Sequence, residues 1–292
     1  MLPNKPMNVL KVGVLLAALT ALFVGLGYMF GGQSGMLIAF GIALIMNVGS
    51  FWFSDKLVLT MTRAQPISQA DSPELYEMVT RLSQRAQIPV PKLYVVNDPS
   101  PNAFATGRSP SHSAVAVNTG LLQILDRPEV EGVIAHELAH IKHRDTLTMT
   151  IAATVAGAIT MIAHFAQFAA FFGGGRSDDG EHMNPIALLA MALLAPLAAT
   201  VIQLAISRSR EFEADRTGAQ IAGNSAGLAN ALLKLERGNA SIPHRVSEAV
   251  APLYIVNPLR GGGLAKLFMT HPPIEERVAK LRQMSPAELQ IA

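Results

Sequence analysis

Hydrophobic and polar positions follow one another along this chain on two scales. Four stretches carry no charged residue over lengths suited to a bilayer crossing: Val12 to Phe30, Gly35 to Phe53, Leu147 to Phe172, and Pro185 to Ile206. A helix needs about 20 such residues to span the hydrocarbon core. The first two runs are separated only by Gly31-Gly32-Gln33-Ser34, and the last two by the short polar segment 173–184. The pattern therefore predicts four transmembrane helices in two hairpins. A cleaved signal peptide does not suit the first run, which is long and is followed at once by a second. A buried pair of core helices does not suit the third and fourth, although Ala152, Ala153, Ala156, Gly157 and Ala158 point to close helix packing in the third.

The polar segments show shorter periods. Asp71-Ser72-Pro73 predicts a capped helix start, with the helix running to about Gln87. Pro91 to Val96, Asn102 to Thr106 and Ser113 to Asn118 read as strands, held to edges or turns by Pro99, Pro101 and Pro110. Further helices are expected from Asp126, over Ser207 to Ala222, Ser225 to Glu236 and Ile274 to Met284, with a Pro- and Gly-rich loop over 238–263. The fold class is α+β: residues 1–53 form an N-terminal transmembrane hairpin and 147–206 a second. Segments 54–146 and 207–292 together make one mostly helical domain with a small β-sheet.

Composition sharpens this reading. The chain has 292 residues, 50% hydrophobic and 15% charged, and a mean hydropathy of +0.32. Soluble domains carry about 25% charged residues. The absence of cysteine excludes disulfides, thiolate metal sites and a cysteine nucleophile. A net charge of +2, without a basic stripe, excludes nucleic acid as a partner. Lys5, Lys11, Lys56, Arg63, Lys142, Arg144, Arg208 and Arg210 flank the outer ends of the hairpins, whereas Arg176 stands among Asp178, Asp179 and Glu181. By the positive-inside rule both termini and the polar domain face the cytoplasm.

The chemistry is concentrated in His136-Glu137-Leu138-Ala139-His140. Two histidines four apart share one helix face, about 6 Å apart along the axis, and can hold one Zn²⁺. Glu137 stands beside them as the general base toward a water. A third protein ligand is needed. The continuation with Gly and His three and six residues later fails, because His143 and Thr146 occupy those positions. Glu211-Phe212-Glu213-Ala214-Asp215 offers the alternative: Glu211 as ligand, Asp215 one turn later on the same face to accept a histidine N–H, and Glu213 turned away. A hairpin between His140 and Glu211 returns the chain to the same side of the bilayer. The competing reading pairs Glu211 with Arg208 or Arg210 at the surface. His143 reads as a headgroup-level or supporting residue, His164 as a packed one, and His112, His182 and His244 as surface residues.

At these residues the chain resembles the HtpX-type bacterial membrane zinc metalloproteases, relatives of the CAAX prenyl proteases. The resemblance rests on the two hairpins, Pro101-Asn102-Ala103-Phe104-Ala105-Thr106-Gly107, the His136–His140 motif with Ile141-Lys142-His143-Arg144-Asp145, Ser207 to Asp215, and Thr270-His271-Pro272-Pro273. It implies a zincin-like catalytic domain with one Zn²⁺ per chain, in a multi-pass protein of the bacterial inner membrane. It implies a quality-control endopeptidase that cuts unfolded or damaged membrane proteins from the cytoplasmic side, with other membrane quality-control proteases as candidate partners. It places Asn102, Ala103, Phe104, Ala105 and Thr106 along the substrate cleft and His271 near the metal, holding the oxyanion. Three rivals share some of these features. Intramembrane proteolysis would put the motif inside an apolar span, yet Glu129, Glu131, Lys142, Arg144 and Asp145 surround it. A non-catalytic metal-stabilised scaffold has no need of Glu137. Prenyl-peptide processing would require a larger membrane chamber than four spans enclose.

Overall fold

The computed structural model describes residues 5–155, 159, 208–241, 253–256 and 272–290. Helix α1 (Lys5–Met61) is broken only at Gly32, whose φ of 58° and ψ of −145° reverse the chain. Glycine tolerates that conformation, which a Cβ would disfavour. The two halves then run back along each other. Gly27 lies so close to Gly35 and Ala39 that a side chain there would collide with both. Asn47 Nδ2 donates to Thr20 Oγ1 at 2.8 Å and to the Leu16 carbonyl at 3.3 Å. The expected tight turn between the first two apolar runs is thus present.

Gly32–Phe53 is a 22-residue helix, long and apolar enough to cross a membrane, and 12% of its apolar window is buried. Leu37, Ile38, Leu44 and Ile45 lie exposed along it. Val12–Gly25 is a shorter apolar helix. The fourth apolar run, most of the third, their polar connection and the acidic cluster around Arg176 lie outside the described residues.

The sheet has four strands, β1 (Gln65–Pro66), β2 (Lys92–Val96), β3 (Ala103–Ser109) and β4 (His112–Asn118), in the order β1-β2-β4-β3. β2 and β4 are parallel, and the outer pairs antiparallel. The chain crosses from β2 to the far side before turning back, which leaves β3 at the edge. Side chains alternate between faces as the period of two requires. Leu93, Ala103, Ala105, Val115 and Val117 join the main core. Val96, Phe104, Ala114 and Ala116 meet Val58, Leu59, Ala153, Leu253 and Tyr254 on the other face.

The helices that cover the first face are α2 (Pro73–Ala86), α3 (Thr119–Ile124), α4 (Arg127–His143), α6 (Arg208–Ala222), α7 (Ser225–Ser241) and α8 (Ile274–Arg282); α5, residues 145–155, leads into the third apolar run. Some details differ from expectation. Ser72 precedes α2 without capping it through its side chain. Asp71 instead accepts from Ser68 N and Oγ, closing a local turn. β3 runs on to Ser109 because an irregularity between Gly107 and Ser109 carries it into the β4 turn. α7 takes in the first residues of the segment read as a loop, and Leu253–Val256 from the same segment are buried. β1 and α3 were not anticipated; each is too short to show a period.

Candidate metal centre

Helix α4 starts with a reciprocal cap. Asp126 accepts from Glu129 N at 3.3 Å while Asp126 N donates to Glu129 Oε2 at 2.9 Å, and proline occupies the first turn. Each half of such a box satisfies an otherwise unpaired N–H. Lys234 of α7 donates to Glu129 at 2.6 Å, so this carboxylate, read from sequence as part of a charged surface, is buried. From Val130 to Ile141 α4 is enclosed on almost every side. Two glycines permit this. A Cβ at Gly132 would collide with the Leu228 backbone of α7, and one at Gly218 would lie 2.9 Å from the His136 backbone. α6 therefore rests on α4 backbone to backbone beside His136. Glu211, two turns before Gly218, and Asp215, one turn before it, share the face turned to α4.

His136, His140 and Glu211 each offer one atom that could bind a metal ion, and these atoms all lie within 4.8 Å of one another. His136 Nε2 and His140 Nε2 are 3.2 Å apart. Glu211 Oε1 is 3.6 Å from His140 Nε2, and its Oε2 is 3.9 Å from His136 Nε2. Behind the imidazoles, Asp215 Oδ1 is 3.0 Å from His136 Nδ1 and Asp145 Oδ2 is 3.4 Å from His140 Nδ1. Each carboxylate meets an arginine in turn. Arg277 Nε and Nη2 donate to the two oxygens of Asp215 at 2.8 and 2.6 Å. Arg210 Nη1 is 3.2 Å from Asp145 Oδ1. Glu211 is not the exposed partner of Arg208 or Arg210: it is 1% exposed.

Burial lowers His136 to about 4, with the charge of His140 and Arg277 adding to the effect against Asp215. Burial would lower His140 too, yet Asp145, Glu211 and Glu137 outweigh it and raise the group to about 9. Burial raises Glu137 to about 8, helped by Glu211 and opposed by His140 and a hydrogen bond with the Ala105 backbone. Asp215 resists its own burial because Arg277 and His136 hold it ionised, at about 2.

The donor set fits a divalent cation. With both Nδ1 atoms turned to carboxylates, both Nε2 atoms present lone pairs to the same point. Two nitrogens bound at 2.0–2.1 Å in a tetrahedral site would be about 3.3 Å apart, close to the 3.2 Å found. Charge gives the same answer. Without a cation the site balances only by keeping His140 protonated and Glu137 neutral. A divalent cation takes the place of those two protons, and four buried carboxylates, Glu137, Asp145, Glu211 and Asp215, then face it and two buried guanidinium groups, Arg210 and Arg277.

The remaining expected site residues are placed unequally. Ala103 to Thr106 open the edge strand β3 and Asn102 directly precedes it; all five are buried. Ala105 brings that strand to Glu137. Asp145, expected at the surface, is buried against His140. His143 Nε2 lies 3.3 Å from Thr217 Oγ1, bridging α4 and α6 away from the ligands. His112 is exposed at the start of β4. His271, with His164, His182 and His244, lies outside the described residues. The residues that sequence reasoning missed as parts of the site are Asp145, Arg210 and Arg277. Asp145 follows His140 by five positions, which helix periodicity does not bring alongside. It comes back because Arg144 takes a left-handed φ of 62°. Arg210 adjoins Glu211 and was a visible candidate, assigned to the wrong carboxylate. Arg277 had no local signal.

The chain is similar to known proteins along most of its length. Residues 69–285 match Peptidase family M48. The chain is 56% identical over 280 residues to a protease HtpX homolog of Pelotomaculum thermopropionicum, covering 96% of this chain and 100% of that protein. Homologs of the same description from Methylibium petroleiphilum and Burkholderia multivorans are each 54% identical, covering 96% and 95% of this chain and 98% and 97% of their own lengths. Among solved structures, S. mikatae Ste24p aligns with a TM-score of 0.52 at 19% identity, covering 91% of this chain and 62% of that one, a likeness of fold. With a family match over residues 69–285 and relatives 54–56% identical along nearly its whole length, the chain belongs to peptidase family M48 and is a metallopeptidase.

Proposed function

We propose that this chain is a zinc-dependent endopeptidase of the bacterial inner membrane that cuts unfolded or damaged membrane proteins at the cytoplasmic face. The observation that carries the reading is the convergence of His136, His140 and Glu211 on one buried point beside Glu137. Two imidazoles and a carboxylate, without a thiolate, suit zinc among the common divalent cations. When bound, the cation supplies Lewis acidity, polarising the scissile carbonyl and acidifying water.

The chain's own residues then do the rest. Asp215 and Asp145 hold the ligand imidazoles in the tautomer that leaves each Nε2 free to ligate. Glu137 takes a proton from water as its oxygen attacks the carbonyl carbon. The same carboxyl gives that proton to the nitrogen as the C–N bond breaks, leaving an amine and a carboxylic acid that keeps the second proton of the water until it ionises. An acid raised by burial is suited to both roles near neutral pH. β3 is an edge strand that reaches Glu137 through Ala105. Residues 102–106 are buried, so an extended peptide would pair with that edge once what covers it moves aside. His271, just before α8, is assigned to the oxyanion.

Glu137→Gln is the direct test. The variant is expected to keep stoichiometric zinc and lose cleavage of an unfolded membrane protein; full proteolysis by it would remove Glu137 from the reaction. The membrane arrangement is a four-span one with both termini inside. Cysteines placed at Asp179 and Lys142 should then react with an impermeant thiol reagent from opposite sides, and labelling from one side would overturn the topology.

A further inference from the structure

Arg277 is 0% exposed, a guanidinium enclosed by protein. It comes from α8, near the C-terminal end of the chain. A buried arginine is costly unless all its donors are matched. Here Nε and Nη2 form a two-pronged pair with Asp215. Nη1 donates to the Ile255 carbonyl at 3.0 Å and stands 3.8 Å from Glu211 Oε2. The Ile255 amide, in turn, donates to Asn102 Oδ1 at 3.1 Å. Asn102 also fixes the start of β3 through its carbonyl, which accepts from Asn118 N at 2.9 Å. A continuous line of contacts therefore runs from the head of β3 through Ile255, Arg277 and Asp215 to His136.

We propose that Arg277 is a positioning residue which sets His136 through Asp215 and ties that setting to β3 through Ile255 and Asn102, so that a peptide on β3 and a metal at His136 favour each other. The inference rests on the reading of β3 as the substrate strand and of the His-His-Glu cluster as the metal site. Its chemistry is specific to a guanidinium. A lysine keeps the charge but offers no planar fork, and one ammonium cannot serve both oxygens of Asp215 and the Ile255 carbonyl in this arrangement. Coupling of two binding events is reciprocal, which makes it measurable from either side.

The test uses the full chain in detergent micelles, with Zn²⁺ competition against a chromogenic chelator, and Co²⁺ substitution to report ligand geometry by its d–d absorption. Denatured casein serves as the extended-peptide probe, and Glu137→Gln as the non-cleaving background. Arg277→Lys is expected to lower zinc affinity about 10–100-fold and to alter the Co²⁺ spectrum. Arg277→Met should do so to a greater degree. Asn102→Ala, with labelled casein added until anisotropy shows the variant saturated, is expected to abolish the change that bound casein makes in the Co²⁺ spectrum. A merely structural role for Arg277 would shift melting but leave the spectrum of the folded, loaded lysine variant as in the parent. Parental zinc affinity and spectrum in Arg277→Lys would overturn the positioning role, and a casein response that survives in Asn102→Ala would overturn the link to β3. Failure of the parent chain to take up either metal would instead defeat the proposed function itself.

Discussion

His136 and His140 are supported by devices built from the same parts, an aspartate and then an arginine, and the two behave in opposite ways. On the His136 side, Asp215 is gripped by both prongs of Arg277, which has no exposure at all. On the His140 side, Asp145 is met at 3.2 Å by one nitrogen of Arg210, whose side chain is 10% exposed. Burial would lower both imidazoles. His136 falls to about 4 because Arg277 and His140 add to burial against Asp215. His140 rises to about 9 because Asp145, Glu211 and Glu137 together outweigh burial. The identity of a supporting residue is therefore a poor guide to its effect; what stands behind it decides. One device fixes a neutral ligand rigidly. The other joins the start of α5 to the first turn of α6, since Asp145 opens α5 and Arg210 lies in the first turn of α6.

Removing each aspartate should expose that difference most strongly. Asp215→Ala leaves Arg277 charged, buried and without its main partner. The expected loss is about 3–5 kcal/mol of stability. Asp145→Ala leaves Arg210 near enough to water to rehydrate, and the loss should be smaller, about 1–3 kcal/mol. Chaotrope unfolding of the micelle-embedded chain measures both, and equal losses would show that the two arginines are energetically alike. The milder pair, Asp215→Asn and Asp145→Asn, keeps shape while weakening the hold on each imidazole. Both should cost metal affinity, about 10–100-fold, with Asp215→Asn at the larger end because its geometry is the more closely fixed. Zinc competition titration decides; the reverse order would mean that the looser device sets affinity.

The contrast also explains what could be read from the chain beforehand. His136, Glu137 and His140 lie within one helical turn and a half, where periodicity alone places side chains on a face. Glu211 was legible because two successive apolar runs, if they cross a bilayer and return, bring their ends to one side, and because Asp215 repeats its face one turn later. The turn at Gly32 was legible from hydropathy. Asp145 was not, because a single left-handed residue at Arg144 redirects it. Arg277 was not, because its partners Asp215 and Ile255 become neighbours only when α8 docks against α6 and the 253–256 segment enters the core. The glycines that set helix spacing, Gly132 and Gly218, are likewise defined by partners distant in sequence.

The smallest expected effect, and the one that separates the two histidines by titration, is the pH dependence of the metal-stripped chain. His140, raised from 6.5 to about 9, and Glu137, raised from 4.5 to about 8, bind protons more tightly folded than unfolded. Their contribution is complete below the unfolded values and is lost as pH rises through the folded ones. His136, lowered from 6.5 to about 4, has the opposite sign: its contribution is present above 6.5 and is lost as pH falls toward 4. Between about pH 4.5 and 6.5 Glu137 opposes His136 and His143, which burial also lowers, so the melting temperature should change less there than above 6.5. Above 6.5 His140 joins Glu137, and the melting temperature should fall toward pH 9. Bound metal removes that decline, since it takes His140 in its deprotonated form and stabilises an ionised Glu137. Thermal melts of chelator-treated and zinc-loaded protein across this range provide the comparison. A stripped chain whose melting rises from pH 6.5 to 9 would mean that Asp145, Glu211 and Glu137 do not outweigh burial at His140. The two histidines would then be alike after all.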